Sequence, residues 1–239
     1  MVGLSFYIGV LGNIISVFVF LSPVKTFVRI VKRRSTEEFE SLPYVCMLLN
    51  ASLWTYYGII KSGEYLVATV NAFGDVVEII YLVLFLIYAP PKMRTRTAIL
   101  VAILNVGLFA AAVVGTQLGL TGDARVDAVG FMCAGLNIIM YGSPLAAMKT
   151  VITTKSVEFM PFLLSFSLFV NGGVWTFYSL LVMDFFLLVP NGTGFLLGTA
   201  QLILYAIYRR YDKPSRNRSS EDLEEASPKE CLIASSSSE

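Results

Sequence analysis

Asn50, Trp54 and Tyr57 recur 121 residues later as Asn171, Trp175 and Tyr178, and Asn71 recurs 120 residues later as Asn191. An amide offers hydrogen-bond donors and an acceptor without charge, and an indole offers a flat apolar face with a single N–H donor. Brought together, two such faces and four amides suit a neutral polyhydroxylated ring, whose C–H faces stack while its hydroxyls bond. Catalysis finds little to use. The chain holds no histidine, and no nucleophile stands at a readable spacing from a base. Of its three cysteines, Cys46 and Cys133 fall in apolar runs and read as small buried hydrophobes, while Cys231 in a polar tail reads as a free thiol. No metal, cofactor or nucleic acid is expected.

The elements that must position these residues are membrane spans. Across 239 residues the hydrophobic content is 56% and the mean hydropathy +0.70, far outside the soluble range. Seven apolar runs approach the roughly 20 residues that a helix needs to cross hydrocarbon: 5–24, 43–60, 66–89, 97–118, 126–147, 161–182 and 187–208. The first has no basic segment before it and reads as a retained span. Of the 18 lysines and arginines, 16 follow spans 1, 3, 5 and 7, leaving only Lys61 and Arg125 on the other side. Basic loops stay cytosolic, so the N-terminus is expected outside the cytosol and the C-terminus inside it. The repeated residues fall in spans 1 to 3 and 5 to 7, and the fourth has no partner. The expected fold is an all-α membrane protein of seven helices arranged three plus one plus three: a first repeat over 1–96, a linker helix over 97–118, a second repeat over 119–208, and a polar, disordered cytosolic tail over 209–239.

Depth and facing follow from helical geometry. Trp54 lies 11 residues after Pro43, about 16 Å along a helix and near the bilayer middle. Trp175 lies at a similar depth after Pro161. Lipid-facing tryptophans prefer the interface, so a pair at mid-depth is expected to face inward. Asn50 and Asn171 precede their tryptophans by four residues and share a face with them. Pro23, Pro43, Pro144 and Pro161 fall at cytosolic span ends, where they either form a ring of hinges at one mouth or simply terminate helices. Tyr57, Tyr178 and Asp184 lie toward the opposite mouth, which they either close through hydroxyl–carboxylate bonds or border as an aromatic belt. Asp75 and Glu78 are acids within a span; a structural, hydrogen-bonded role is preferred over proton coupling, because the second half has no matching acid near Asn191.

The wording of the chain is similar to that of the plant SWEET sugar facilitators. The matching stretches include Gly9-Val10-Leu11-Gly12-Asn13, Leu21-Ser22-Pro23, Trp54-Thr55-Tyr56-Tyr57-Gly58, Val70-Asn71-Ala72-Phe73-Gly74, Tyr141-Gly142-Ser143-Pro144-Leu145, Lys155 to Phe162 and Pro190-Asn191-Gly192. SWEET carriers are themselves a standard example of parallel repeats about an axis along the membrane normal. The resemblance implies a facilitative, bidirectional uniporter working by alternating access, not an enzyme, with Asn71, Asn191 and Trp175 touching sugar and Trp54 at a pocket position that varies among members. Asn50 and Asn171 occupy positions where disaccharide carriers tend to have serine, implying a hexose-sized pocket for fructose or glucose, and Val19 and Met140 occupy the remaining selectivity positions. Asp75 departs from the small residue usual there. The chain is most similar to the vacuolar, fructose-preferring subgroup, so a vacuolar membrane is expected over the plasma membrane. Its expected partners are a small neutral sugar, the lipid bilayer and further copies of itself. A sucrose carrier and a seven-helix receptor are the alternatives; the duplicated halves disfavour the receptor.

Overall fold

Ser22 and Pro23 interrupt the first span, and the interruption is repeated in the second half. The computed structural model describes residues 2–158 and 160–209. Helix α1 (Val2–Leu21) stops at Ser22, and the chain resumes at Pro23 as α2 (Val24–Arg33), which ends on Arg34 in the left-handed conformation. The basic connector is therefore helical. It turns Phe27 and Ile30 inward and leaves Lys25, Arg29, Lys32 and Arg33 exposed, an amphipathic pattern in a helix lying past the apolar run. In the second half α7 (Gly122–Met140) gives way at Tyr141 to α8 (Gly142–Thr154), which ends on Lys155, also left-handed. Pro23 and Pro144, and Arg34 and Lys155, are each 121 residues apart, so break and stop keep the register of the repeat.

The remaining helices are α3 (Leu42–Ile60) and α4 (Tyr65–Tyr88) in the first half and α9 (Phe162–Val182) and α10 (Phe185–Tyr208) in the second. Between the halves runs a linker made of α5 (Pro91–Leu100), a π-helical stretch (Val101–Leu108) and α6 (Phe109–Gly119). It starts six residues before the expected apolar run, because Pro91 suits a first helical turn and the polar residues Lys92, Arg94 and Arg96 fill that turn. Among the described residues, six helical stretches are long and apolar enough to cross a membrane. Helix α3 has the length, 19 residues or about 28 Å, but a more polar composition. It is an interior helix: Trp54, Tyr56 and Tyr57 are buried along it, and its polar side chains meet protein instead of lipid.

The packing is closed under exchange of the halves. Helix α1 packs on α4 of its own half and α9 of the other, while α7 packs on α10 of its own half and α3 of the other. The pairs α3–α4 and α9–α10 make the most extensive contacts. Glycine permits them: a Cβ on Gly172 would lie 2.7 Å from the backbone nitrogen of Phe195, and one on Gly198 would lie 2.6 Å from that of Phe169. Small residues let helix backbones approach where lipid supplies no hydrophobic drive. The linker packs on α3 and α7, so it covers one of the two seams between the halves. The tail expected after Tyr208 lies, from residue 210 on, outside the described residues.

Candidate functional site

A cavity of about 220 Å³ opens where the halves face each other. Its lining is made of repeat-related pairs: Asn50 with Asn171, Trp54 with Trp175, Asn71 with Asn191, Met47 with Leu168, Val67 with Leu187, and Ser16 with Asn137. Val19, Phe20 and Val70 complete the walls next to these pairs. Each pair comes from equivalent helices, so the cavity sits on the axis relating the halves. Met140, given with Val19 as a selectivity position, is half-buried at the end of α7 and is not among the residues lining this cavity. There α7 is breaking, and the Tyr141 hydroxyl donates to the Pro190 carbonyl of α10 at 2.7 Å.

The amides of Asn71 and Asn191 are held identically. Each donates from Nδ2 to the carbonyl four residues earlier, Val67 or Leu187, at 2.8 Å, which leaves one N–H and the carbonyl oxygen of each amide for a guest. The indoles are held across the seam between halves. Trp175 Nε1 donates to Ser16 Oγ at 2.9 Å, and Trp54 Nε1 donates to Asn137 Oδ1 at 3.3 Å. Ser16 Oγ in turn donates to Asn171 Oδ1 at 2.8 Å. With their only polar atoms engaged, both tryptophans offer the cavity apolar ring surface, and each packs edge-on against its tyrosine, Trp54 on Tyr57 and Trp175 on Tyr178.

Those tyrosines bond across the two halves at one end of the helices. Tyr57 donates to Asp184 Oδ2 at 2.9 Å, and Tyr178 donates to Glu64 Oε2 at 2.9 Å. Glu64 and Asp184 are themselves 120 residues apart, standing immediately before α4 and α10 respectively. The two bonds are therefore reciprocal, each running from one half to the other, and all four side chains are buried. Their surroundings differ. Asp184 also pairs with Lys61 at 2.7 Å and accepts the backbone N–H groups of Phe186 and Leu187 as a helix cap. Glu64 makes no such cap bond. Burial pushes its carboxyl above the usual range, with Asp184 adding to the rise while the Tyr178 hydroxyl and Lys61 oppose it. At the opposite, proline-bearing end Pro43 and Pro161 are exposed and Pro23 and Pro144 half-buried.

The comparisons with known proteins agree with the two-halved fold. The profile of the family described as "Sugar efflux transporter for intercellular exchange" matches residues 6–93 and 127–213, the two halves on either side of the linker. The chain is 64% identical over 206 residues to the bidirectional sugar transporter SWEET17 of Arabidopsis thaliana, covering 86% of each protein. It is 60% identical over 211 residues to SWEET16 of the same plant, covering 87% of this chain and 91% of that one. It belongs to the SWEET family. Among solved structures, a eukaryotic SWEET transporter at 3.7 Å resolution superimposes with a TM-score of 0.82 at 42% identity, covering 86% of this chain and 97% of that chain.

Within this SWEET, the six asparagine and tryptophan positions expected from sequence meet in one cavity. Asp75 does not join them. Its carboxylate accepts from Ser52 and Thr55 of α3, both at 2.9 Å, which ties α4 to α3 inside the first half. Glu78 is buried and also lies outside the lining. Four contributors were missed from sequence. Ser16 and Asn137 stand at the repeat offset of 121 residues, and Glu64 precedes Asp184 by the 120 residues that separate Asn71 from Asn191. The offset was the available signal. Lys61 carries none, because the second half has no equivalent cation.

Proposed function

We propose that this chain carries a neutral monosaccharide in both directions across a membrane by alternating access, with Asn71, Asn191, Asn50 and Asn171 bonding its hydroxyls and Trp54 and Trp175 covering its faces. The observation that carries this reading is the convergence of repeat-related amides and indoles on one uncharged cavity of about 220 Å³. A charged or metal-bound cargo would find no compensating ion there, since the lining holds no ionisable side chain. The names of the SWEET16 and SWEET17 relatives, bidirectional sugar transporters, support the same reading. The amides at 50 and 171 narrow the cavity beside the indoles and favour a hexose over a disaccharide.

The buried Tyr57–Asp184 and Tyr178–Glu64 bonds support a conformation closed at that end, and the exposure of Pro43 and Pro161 supports an open proline end. Alternation would break the reciprocal tyrosine–carboxylate bonds while the proline-interrupted ends of α1, α3, α7 and α9 come together, exposing one site to each side in turn. The basic residues of α2, α5 and α8 support a cytosolic proline end and a non-cytosolic N-terminus. Likeness to SWEET16 and SWEET17 favours the vacuolar membrane, and the uncovered α1–α9 seam favours assembly with further copies. Counterflow of labelled fructose and glucose in proteoliposomes tests the function: exchange of a labelled hexose, with sucrose exchanging at least about 10-fold more slowly, is expected. Absence of hexose exchange by correctly folded protein refutes it.

A further inference from the structure

The two sides of the cavity look alike in residue type but differ in which polar atoms remain open, and the difference traces to Ser16 and Asn137. These residues occupy equivalent places on α1 and α7 and do the same first task, accepting the N–H of the opposite half's indole. An indole N–H only donates. Ser16 therefore keeps its own hydroxyl proton, and that proton goes to Asn171 Oδ1 at 2.8 Å. Asn137 receives Trp54 on its carbonyl oxygen, and in this geometry it passes nothing on to Asn50. Asn50 Oδ1 is accordingly buried without a hydrogen-bond partner, although Asn50 lines the cavity just as Asn171 does.

A buried carbonyl oxygen left unpaired is costly, and a guest that donates to it recovers that cost. We propose that Asn50 Oδ1 is an acceptor subsite that requires one hydroxyl donor from the transported sugar, that Ser16 and Asn137 are the positioning residues that create it on one side of the cavity only, and that the sugar consequently binds in a single orientation despite the two-fold arrangement of the walls. The inference rests on the sugar-carrier reading above and adds direction to it. The side at Asn171 is already satisfied by Ser16 and tolerates the loss of a donor; the side at Asn50 does not. A site built to pair a substrate hydroxyl rejects the analogue lacking it far more strongly than an apolar wall rejects a change of size.

The test uses the full chain in proteoliposomes, with counterflow against labelled hexose in the presence of monodeoxy and monodeoxyfluoro hexoses. Fluorine in place of hydroxyl accepts weakly and cannot donate, so the paired analogues separate a lost donor from a lost acceptor. In the wild-type chain, the ring position facing Asn50 should lose about 10-fold or more in apparent affinity with both analogues; positions paired to Asn71 or Asn191 are sensitive too, and the Asn50 position is told apart by its response to substitution at Asn137. Asn137→Ser gives Asn50 the same hydroxyl that Ser16 gives Asn171, and the loss at that position should shrink to less than about 3-fold. Ser16→Asn exposes Asn171 Oδ1 and should add a sensitive position that the wild-type scan lacks. Ratios between analogues on one protein are read throughout, so a general fall in activity or yield does not mimic the result. A flat wild-type scan, a position that tolerates fluorine but not hydrogen, or an unchanged pattern in Asn137→Ser overturns the proposal. Each of these still leaves hexose exchange measurable, whereas failure of the carrier reading removes the exchange itself.

Discussion

The two latches at the Lys61 end share one geometry but not one electrostatic setting, so removing them has unequal consequences. Tyr57→Phe takes one hydrogen bond from Asp184, whose carboxylate keeps Lys61 at 2.7 Å and the N–H groups of Phe186 and Leu187. An acceptor that stays satisfied loses about 1 kcal/mol, so the closed population falls about 5-fold relative to the open one. Tyr178→Phe strips Glu64 of the hydroxyl it accepts, and the carboxylate is only 4% exposed with no cap bond to its own helix. Leaving it buried costs about 2–3 kcal/mol, a shift of roughly 30- to 150-fold. Each substitution deletes one hydroxyl oxygen; that of Tyr57 also accepts from Lys61 Nζ at 2.9 Å, but Lys61 is only half-buried and keeps Asp184, so the carboxylates dominate the difference. The assay is a spin-label distance between cysteines placed at the exposed Ser62 and Phe185, with Cys46, Cys133 and Cys231 replaced by alanine. It is made at alkaline pH, which favours the ionised carboxylate, and at the same pH for both variants. A larger open fraction in Tyr178→Phe than in Tyr57→Phe is expected. Equal fractions, or the reverse order, would refute the claim that Glu64 is the less supported partner.

Asn50→Ser combined with Asn171→Ser removes two amide groups from the cavity wall and should raise the ratio of sucrose to hexose exchange at least several-fold; an unchanged ratio removes the size argument. Acidification of the medium bathing the latched end should slow entry from that side. The Glu64 carboxyl is raised in the closed mouth by burial and returns toward its ordinary value when solvent enters, so the closed state holds the proton more tightly. Its proton-linked stability is complete below the ordinary carboxylate range and fades as pH rises through the raised value. Glu64→Gln should flatten this dependence, read as initial exchange rates across pH 4.5 to about 8; a profile that keeps its slope in Glu64→Gln assigns the dependence elsewhere.

The architecture was legible because a duplicated helix bundle preserves spacing: a constant offset near 120 residues survives wherever neither half has gained or lost a turn, and it marked Asn50, Trp54, Tyr57 and Asn71 together with their mates. Facing was legible as well, since polar amides and mid-depth indoles have few stable alternatives to a shared interior. Ser16 was missed because a lone serine in an apolar run resembles filler; its role depends on which indole the other half brings alongside. Glu64 was missed because Lys61-Ser62-Gly63-Glu64 reads as a solvated connector, and only the approach of α9 buries the carboxylate. Hydropathy placed the ends of spans 1 and 5 at 24 and 147 and did not show that helix continues to Arg33 and Thr154, because the charged face of Val24–Arg33 and the threonines and Lys149 of Gly142–Thr154 dilute the apolar signal. Met140 matched Val19 by offset, yet the break at Tyr141 removes it from the wall that Val19 helps to form.

The measurement that bears most directly on the shared cavity is hexose counterflow and equilibrium hexose binding in Asn71→Ala and Asn191→Ala, each purified and compared with wild type for thermal stability. Each amide offers a guest one N–H and one carbonyl oxygen beyond its bond to Val67 or Leu187, so either substitution should lower the apparent affinity at least about 30-fold while melting stays within a few degrees of wild type. Wild-type binding and exchange in both variants would contradict a single site formed jointly by the two halves.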